Sequence, residues 1–163
     1  MKIETLRELL VDELQDLHSA ELQINKALPR LVKTSHDPTL RQSFEQHIED
    51  TRNHATRLEQ VLKRMNQSPR SKVCEGMKGL LKDEEDRVSG GGDAEVLDAG
   101  IISSAQRITH YKIAAYGSVR TYAELLGEQD AARILNEILQ EEKASDQKLN
   151  QVARKVNVEA KAA

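Results

Sequence analysis

The sequence predicts an all-α protein built from four long helices, with a long connection between the second and the third. Apolar residues recur at steps of three, four and seven over four long stretches, which is the spacing of one helix face. Gly and Pro are scarce outside a few places, and those places mark helix ends. Aromatic residues make up only 2% of the 163 residues, so Leu, Ile, Val and Ala must form most of the core.

The first helix is expected over residues 5–34 and the second over residues 38–66. Thr5-Leu6-Arg7-Glu8 has the spacing of a capping box at the first helix start. Pro29 lies inside the apolar pattern, where it removes one backbone hydrogen bond and should kink the helix without ending it. Asp37 is the expected N-cap of the second helix, with Pro38 at its first position.

The second half of the chain begins with a break at residues 67–71 and a short amphipathic helix over residues 72–88. Ser89-Gly90-Gly91-Gly92 then separates it from the third long helix, expected over residues 93–126 with Asp93 as its cap. Gly127 is suited to end that helix in the αL conformation, and a fourth helix follows over residues 129–157. Short, long and short connections are the wiring of the ferritin-like four-helix bundle, here with a crossover that carries a short extra helix. We expect one domain over residues 1–163.

Composition argues against several classes of function. The 24 basic and 27 acidic residues are intermixed and give a net charge of −3, so a nucleic-acid partner has little support. Cys74 is the one cysteine in the sequence, which excludes an intramolecular disulfide and suits a reducing compartment. The first residues include acids and no long apolar run, so we expect neither a signal peptide nor a membrane span. These features predict a cytoplasmic protein.

Each long helix interrupts its apolar line once, near its middle. A single interruption is usually a helix rotated so that an acid reaches solvent, but four coincident ones are harder to explain in that way. Ionised groups are costly to bury unless they are paired or bound to a metal, and inward carboxylates and imidazoles are how such bundles build di-metal sites. The interrupting residues are Glu21 on the first helix, His47, Asp50 or Thr51, and His54 on the second, Lys112 on the third and Glu142 on the fourth. Asp146 lies beside the apolar line of the fourth helix.

Four segments around these positions resemble the YciF-type ferritin-like stress proteins of bacteria. They are DELQDLHSAE at 12–21, HIEDTRNH at 47–54, HYKIAAYG at 110–117 and EEKASD at 141–146. The resemblance covers nearly the whole chain, including the crossover at 74–80. It implies a ferritin-like bundle that is commonly dimeric and linked to stress responses, with no agreed biochemical activity.

Departures from the family motifs concern the metal site. The second-helix motif of the family usually reads His-x-Glu-Glu-Thr-x-x-His, and Asp50 stands here for the second Glu. The third-helix motif usually reads Glu-His-Tyr-Glu, and here Thr109 and Lys112 replace both acids. A ferritin-like di-metal site needs a carboxylate from this helix, so the resemblance does not support a full di-iron centre.

Lys112 leaves two arrangements open. Its ammonium can replace a metal by bonding Glu21 and Glu142 in a metal-free core. Alternatively, it can extend outward to solvent while one metal binds among Glu21, Asp50, a histidine and Glu142, with His110 as a substitute ligand. Iron or manganese is then expected, because hard first-row cations favour these ligands. The candidate metal ligands are Glu21, His47, Asp50, His54, Glu142 and Asp146.

The sequence therefore predicts a ferritin-like stress-response protein with a carboxylate and histidine metal site in the bundle core. The alternative is a metal-free stress protein that acts through protein contacts. A homodimer is expected, since Tyr116, Tyr122 and several Leu and Val residues exceed what one seam can hide. We also expect His18 and His36 at the surface and Cys74 as a buried structural thiol.

Overall fold

A computed structural model describes residues 2–69 and 72–163, and these residues form five α-helices. Arg70 and Ser71, which belong to the predicted break after the second helix, lie outside the described residues. The predicted all-α fold, with four long helices and a short one in the crossover, is confirmed. The helices are α1 (Leu6–Thr34), α2 (Pro38–Arg64), α3 (Glu75–Ser89), α4 (Ala94–Leu125) and α5 (Gln129–Ala162).

The predicted capping residues are confirmed. At the start of α1 the Glu8 backbone N–H donates to Thr5 Oγ1 at 3.1 Å, and the Thr5 N–H donates to Glu8 Oε2 at 2.9 Å. Asp37 and Asp93 accept hydrogen bonds from the first backbone N–H groups of α2 and α4. Gly127 has a φ of 73°, so it takes the left-handed conformation that ends α4.

Helix boundaries differ from the predictions in two places. α3 begins at Glu75 rather than at residue 72, because Cys74 is its N-cap and the thiol accepts from the Met77 N–H. α5 continues to Ala162, five residues past the predicted end at 157. α1 runs through Pro29 to Thr34, as the sequence predicted.

The long helices form two antiparallel hairpins joined by a parallel crossover. Residues 35–37 join α1 to α2, and residues 126–128 join α4 to α5. Arg7 Nη1 lies 2.7 Å from Glu128 Oε1, while the His36 N–H donates to Asp98 at the other end, so α1 and α4 are antiparallel. α2 therefore runs parallel to α4, which is the ferritin-like arrangement.

The buried apolar side chains fall into two clusters, one on each side of a polar layer. Each cluster draws on all four long helices, so the layer crosses the middle of the bundle. None of the helices within residues 2–69 and 72–163 combines the length and the apolar content that a bilayer crossing requires. Representative side chains are Leu10, Leu58, Val119 and Leu135 in one cluster, and Ile24, Phe44, Ile101 and Val156 in the other.

Candidate functional site

Lys112 lies at the centre of the polar layer. Its side chain is fully buried, and its Nζ is 2.5 Å from Glu142 Oε1 and 3.0 Å from Glu21 Oε2. Both carboxylates are also fully buried. Three helices, α1, α4 and α5, thus contribute one charged group each, and the ammonium bridges the two acids.

His54 on α2 completes this group of ionisable side chains. Its Nδ1 lies 3.2 Å from Glu142 Oε1 and 3.4 Å from Glu21 Oε1. On the other side of the ring, Nε2 is 2.8 Å from Oε2 of Glu141, a half-exposed residue that also pairs with Arg57. His54 therefore connects the buried acids with an ion pair at the surface. We call Glu21, His54, Lys112 and Glu142 the ion cluster.

Neutral groups satisfy further polar atoms in the same layer. The Tyr116 hydroxyl, fully buried, donates to Glu21 Oε1 at 2.6 Å. Thr51 is also fully buried, and its hydroxyl accepts from Asn25 Nδ2 at 2.8 Å while it donates to a backbone carbonyl of its own helix. The layer is therefore a hydrogen-bonded network as well as a set of charges.

The charges of the ion cluster cancel at neutral pH. Burial opposes ionisation of Glu21 and Glu142, but Lys112 and His54 outweigh it and hold both carboxyl pKa values below the ordinary range. Burial likewise opposes the charge on Lys112, yet the two carboxylates raise its pKa. Burial lowers the pKa of His54, but hydrogen bonds to Glu142 and Glu21 outweigh that effect and raise the pKa to about 9. Two carboxylates thus face two cations, with no net charge.

Three of the predicted metal ligands converge. Glu21, His54 and Glu142 each offer a ligand atom, and these atoms lie within 4.8 Å of one another. Glu21 Oε2, His54 Nδ1 and Glu142 Oε2 also lack a well-aligned hydrogen bond to any described residue. Carboxylate and imidazole are suitable donors for iron or manganese.

Even so, this donor set as placed does not fit a resident metal ion. The ammonium of Lys112 contacts both carboxylates, so a divalent cation between them would meet a positive charge at close range, where the low dielectric of an interior screens little. The cluster is already neutral without a metal. Within the described residues no second group of ligands stands beside it, so a di-metal arrangement has no support either.

Two other predicted ligands, Asp50 and Asp146, make their side-chain contacts outside the ion cluster. Asp50 is half-buried and accepts from Gln46 of its own helix. Asp146 accepts from Gln106 at 3.3 Å and lies 3.1 Å from Nε2 of His110. Asp50 therefore does not occupy the core position on α2, which Thr51 takes instead.

The structure buries and exposes a different set of histidines from the set that the sequence predicts. His47 is half-buried beside the layer. Its pKa is lowered, mainly by burial and also by the positive charge of Lys112. His110 is exposed, so it does not substitute as a ligand. The prediction of a surface His18 is wrong: it is 5% exposed and contacts Glu59 at 2.9 Å. The outward position considered for Lys112 is also excluded by its complete burial.

Sequence reasoning missed two contributors to the site. Tyr116 was expected to pack in the core or at an interface, and its role as a donor to Glu21 was not anticipated. Glu141 faces outward beside Glu142, and no pattern in the sequence marks it as part of the site. Its contact with His54 becomes predictable only when α2 and α5 are known to be neighbours, since 87 residues separate the two positions.

The fold and the ion cluster together define a ferritin-like four-helix bundle with an ionic layer in its interior. This chain belongs to the family described as a domain of unknown function (DUF892), which matches residues 5–163.

Similar proteins support the same assignment. Protein YciF of Escherichia coli (strain K12) is 37% identical over 154 residues, which is 94% of this chain and 93% of that protein. The crystal structure of the E. coli stress protein YciF superposes with a TM-score of 0.92 at 35% identity, covering 94% of this chain and 98% of the other. A ferritin-like, diiron-carboxylate protein from Bacillus anthracis str. Ames has a TM-score of 0.72 at 16% identity, covering 93% and 99%. That last likeness concerns the fold alone.

Proposed function

We propose that this chain is a ferritin-like stress-response protein whose interior ion cluster operates without a bound metal. The observation that carries the proposal is the position of Lys112, whose buried ammonium bridges Glu21 and Glu142 at 3.0 and 2.5 Å. The link to stress rests on the likeness to the E. coli stress protein YciF.

In this proposal the ion cluster is a structural device and the protein acts through its surfaces. The two cations supply the charge that a metal would otherwise provide to the inward acids. A homodimer and a cytoplasmic location belong to the same proposal, the latter because a buried free thiol at Cys74 suits a reducing compartment.

A second candidate function is metal binding by Glu21, His54 and Glu142. The observation that favours it is that each of these residues keeps a buried polar atom without a well-aligned hydrogen bond. When bound, iron or manganese would supply Lewis-acid or redox chemistry at these ligands. The candidate requires Lys112 to leave its present position.

Elemental analysis of protein purified without added metal separates the two functions. We expect the wild-type chain to carry neither iron nor manganese. Lys112→Glu should acquire metal, because it removes the competing cation and restores an acid on α4. Lys112→Met is the matched control, since it removes the cation without adding a ligand.

Stoichiometric iron or manganese in the wild-type protein, lost on Glu142→Gln, would instead establish the second candidate. Failure of Lys112→Glu to bind metal while remaining folded would show that the ligand geometry itself, and not only Lys112, is unsuited to a metal.

A further inference from the structure

A cleft of about 780 Å³ opens between α2 and α5, on the side of the ion cluster that faces the α1–α2 turn. Ion pairs join α5 to α2 and to its N-cap near the two ends of the cleft. Arg57 pairs with Glu141 at one end, and Lys155 Nζ lies 2.8 Å from Asp37 Oδ2 at the other. The opening is therefore a gap between two packed helices that is bounded by an ion pair near each end. Its volume lies in the range of ligand sites.

The floor of the cleft is apolar and belongs to the bundle core. All four long helices contribute to it, and each contributing side chain is no more than 5% exposed. An aliphatic chain in the cleft would make van der Waals contacts with these side chains. The floor consists of Ile24, Leu28, Leu31, Phe44, Ile108 and Leu149.

One end of the cleft carries neutral hydrogen-bonding groups. Thr109 is 2% exposed and lines the cleft, and its hydroxyl makes no hydrogen bond to another described residue. Ser145 and His47 line the same space. A ligand atom that reaches Thr109 would therefore meet hydroxyl groups that can donate or accept.

The mouth of the cleft is acidic. Glu45, Glu49, Asp50 and Glu141 line it, and Lys148 is the one lysine or arginine among the described lining residues. Arginines neutralise Glu49 and Glu141, which still leaves two carboxylates against one ammonium. Carboxylates here disfavour an anionic head group, and the buried lining offers the hydroxyl of Thr109 to an uncharged one.

We propose that this cleft binds a neutral amphiphile, with an aliphatic chain against the apolar floor and an uncharged oxygen at Thr109. The ligand class is that of a long-chain alcohol. This site is separate from the ion cluster, and its existence does not depend on whether the cluster ever holds a metal.

Fluorescence titration with Nile red, a neutral apolar dye, tests the cleft. We expect saturable binding to the full chain and displacement by dodecan-1-ol, but not by dodecanoate. Ala144→Trp places an indole in the cleft from an exposed position on α5 and should abolish dye binding. Ala114→Trp, at an exposed position on α4 outside the cleft, is its matched control and should bind as the wild type does.

Thr109→Val tests the position of the oxygen. It keeps the shape of the side chain and should weaken dodecan-1-ol about tenfold, the equivalent of one hydrogen bond of about 1.4 kcal/mol. Thr121→Val is the control, because that hydroxyl is exposed and bonds only to its own helix.

Several results would overturn the proposal. Undiminished dye binding by folded Ala144→Trp would place the site elsewhere, and equal competition by dodecanoate would refute the neutral head group. A wild-type chain that binds no dye, together with an Ala144→Trp variant of altered oligomeric state, would show that a second copy of the chain covers the cleft.

Discussion

Lys112 carries a positive charge where no water reaches it, and it compensates two acids that come from two other helices. Such a group stabilises a fold only as long as its partners remain. Removal of one partner of a buried ion pair leaves an uncompensated charge, which is more costly than loss of the attraction itself. The three charged residues are therefore interdependent.

We expect Lys112→Met to lower the free energy of unfolding by about 3–5 kcal/mol, measured by urea denaturation at pH 7. Methionine has a similar volume and keeps the core filled, so the loss reports on charge. Lys148→Met is the control, because Lys148 is exposed and lacks an ion pair to the described residues, and it should change stability by less than about 0.5 kcal/mol. A loss below about 1 kcal/mol for Lys112→Met would contradict the role assigned to the ammonium.

His54 predicts a decline in stability at alkaline pH. Its pKa is raised from 6.5 to about 9 in the folded chain, so its contribution is complete below pH 6.5 and disappears as the pH rises through about 9. The shift corresponds to about 3 kcal/mol. Chemical denaturation of the wild-type chain at pH 6 and at pH 10 should show this difference, and His54→Gln should remove most of it. His36→Gln, at an exposed position, should retain the wild-type slope.

The carboxylates produce the opposite dependence in acid. The pKa values of Glu21 and Glu142 are lowered in the folded chain, so their contribution to stability is complete above their unfolded pKa and is lost as the pH falls through the folded pKa.

One outcome would contradict the prediction for His54. Equal stability at pH 6 and pH 10, in a chain that still loses stability in acid, would show that His54 is uncharged in the fold.

At the scale of the helices, local signals in the sequence are sufficient to predict how many helices form, in which order, and about where each begins and ends. Caps such as Thr5 and Asp37 act through neighbouring backbone groups, so they can be recognised without knowledge of the fold. The rotation of each helix about its axis is not local. Thr51 rather than Asp50 faces the interior, and one residue on a helix changes direction by about 100°.

The same limit applies to the candidate site. Glu21, His54 and Glu142 could be predicted because they replace apolar residues on regular lines. The inward direction of Lys112 could not, since a long flexible side chain can reach solvent from the same position. His18 falls on the flank of the apolar line, which predicts a surface position, and the sequence does not reveal its partner Glu59 on another helix.

Asp98 connects α4 to the α1–α2 turn. Its buried carboxylate accepts from the His36 N–H at 2.9 Å and from the Asp37 N–H at 2.6 Å. Asp98→Ala should therefore cost about 1–3 kcal/mol and speed amide exchange at the two donors. Glu95→Ala, an exposed change on the same helix, is the control. Unchanged exchange at His36 and Asp37 in folded Asp98→Ala would contradict this contact.

At the scale of the whole molecule, we expect a homodimer. Tyr116 no longer supports this expectation as the sequence suggested, because it is fully buried within the chain. Exposed apolar side chains remain, including Leu22 at 53% and Val73 at 48%, and burial of such groups favours association. Light scattering should give twice the mass of 18.3 kDa at micromolar concentration. A monomer at high micromolar concentration would contradict the prediction.

The ion cluster also has a consequence for the order of folding events. Glu21 and His54 come from the first hairpin, and Lys112 and Glu142 come from the second. Each hairpin carries one acid and one cation, but neither hairpin alone removes them from water, so the complete cluster forms only when the two hairpins dock. Interactions that form after the transition state retard unfolding and hardly affect the folding rate. Docking of the hairpins after the transition state would make Lys112→Met raise the unfolding rate while leaving the folding rate nearly unchanged.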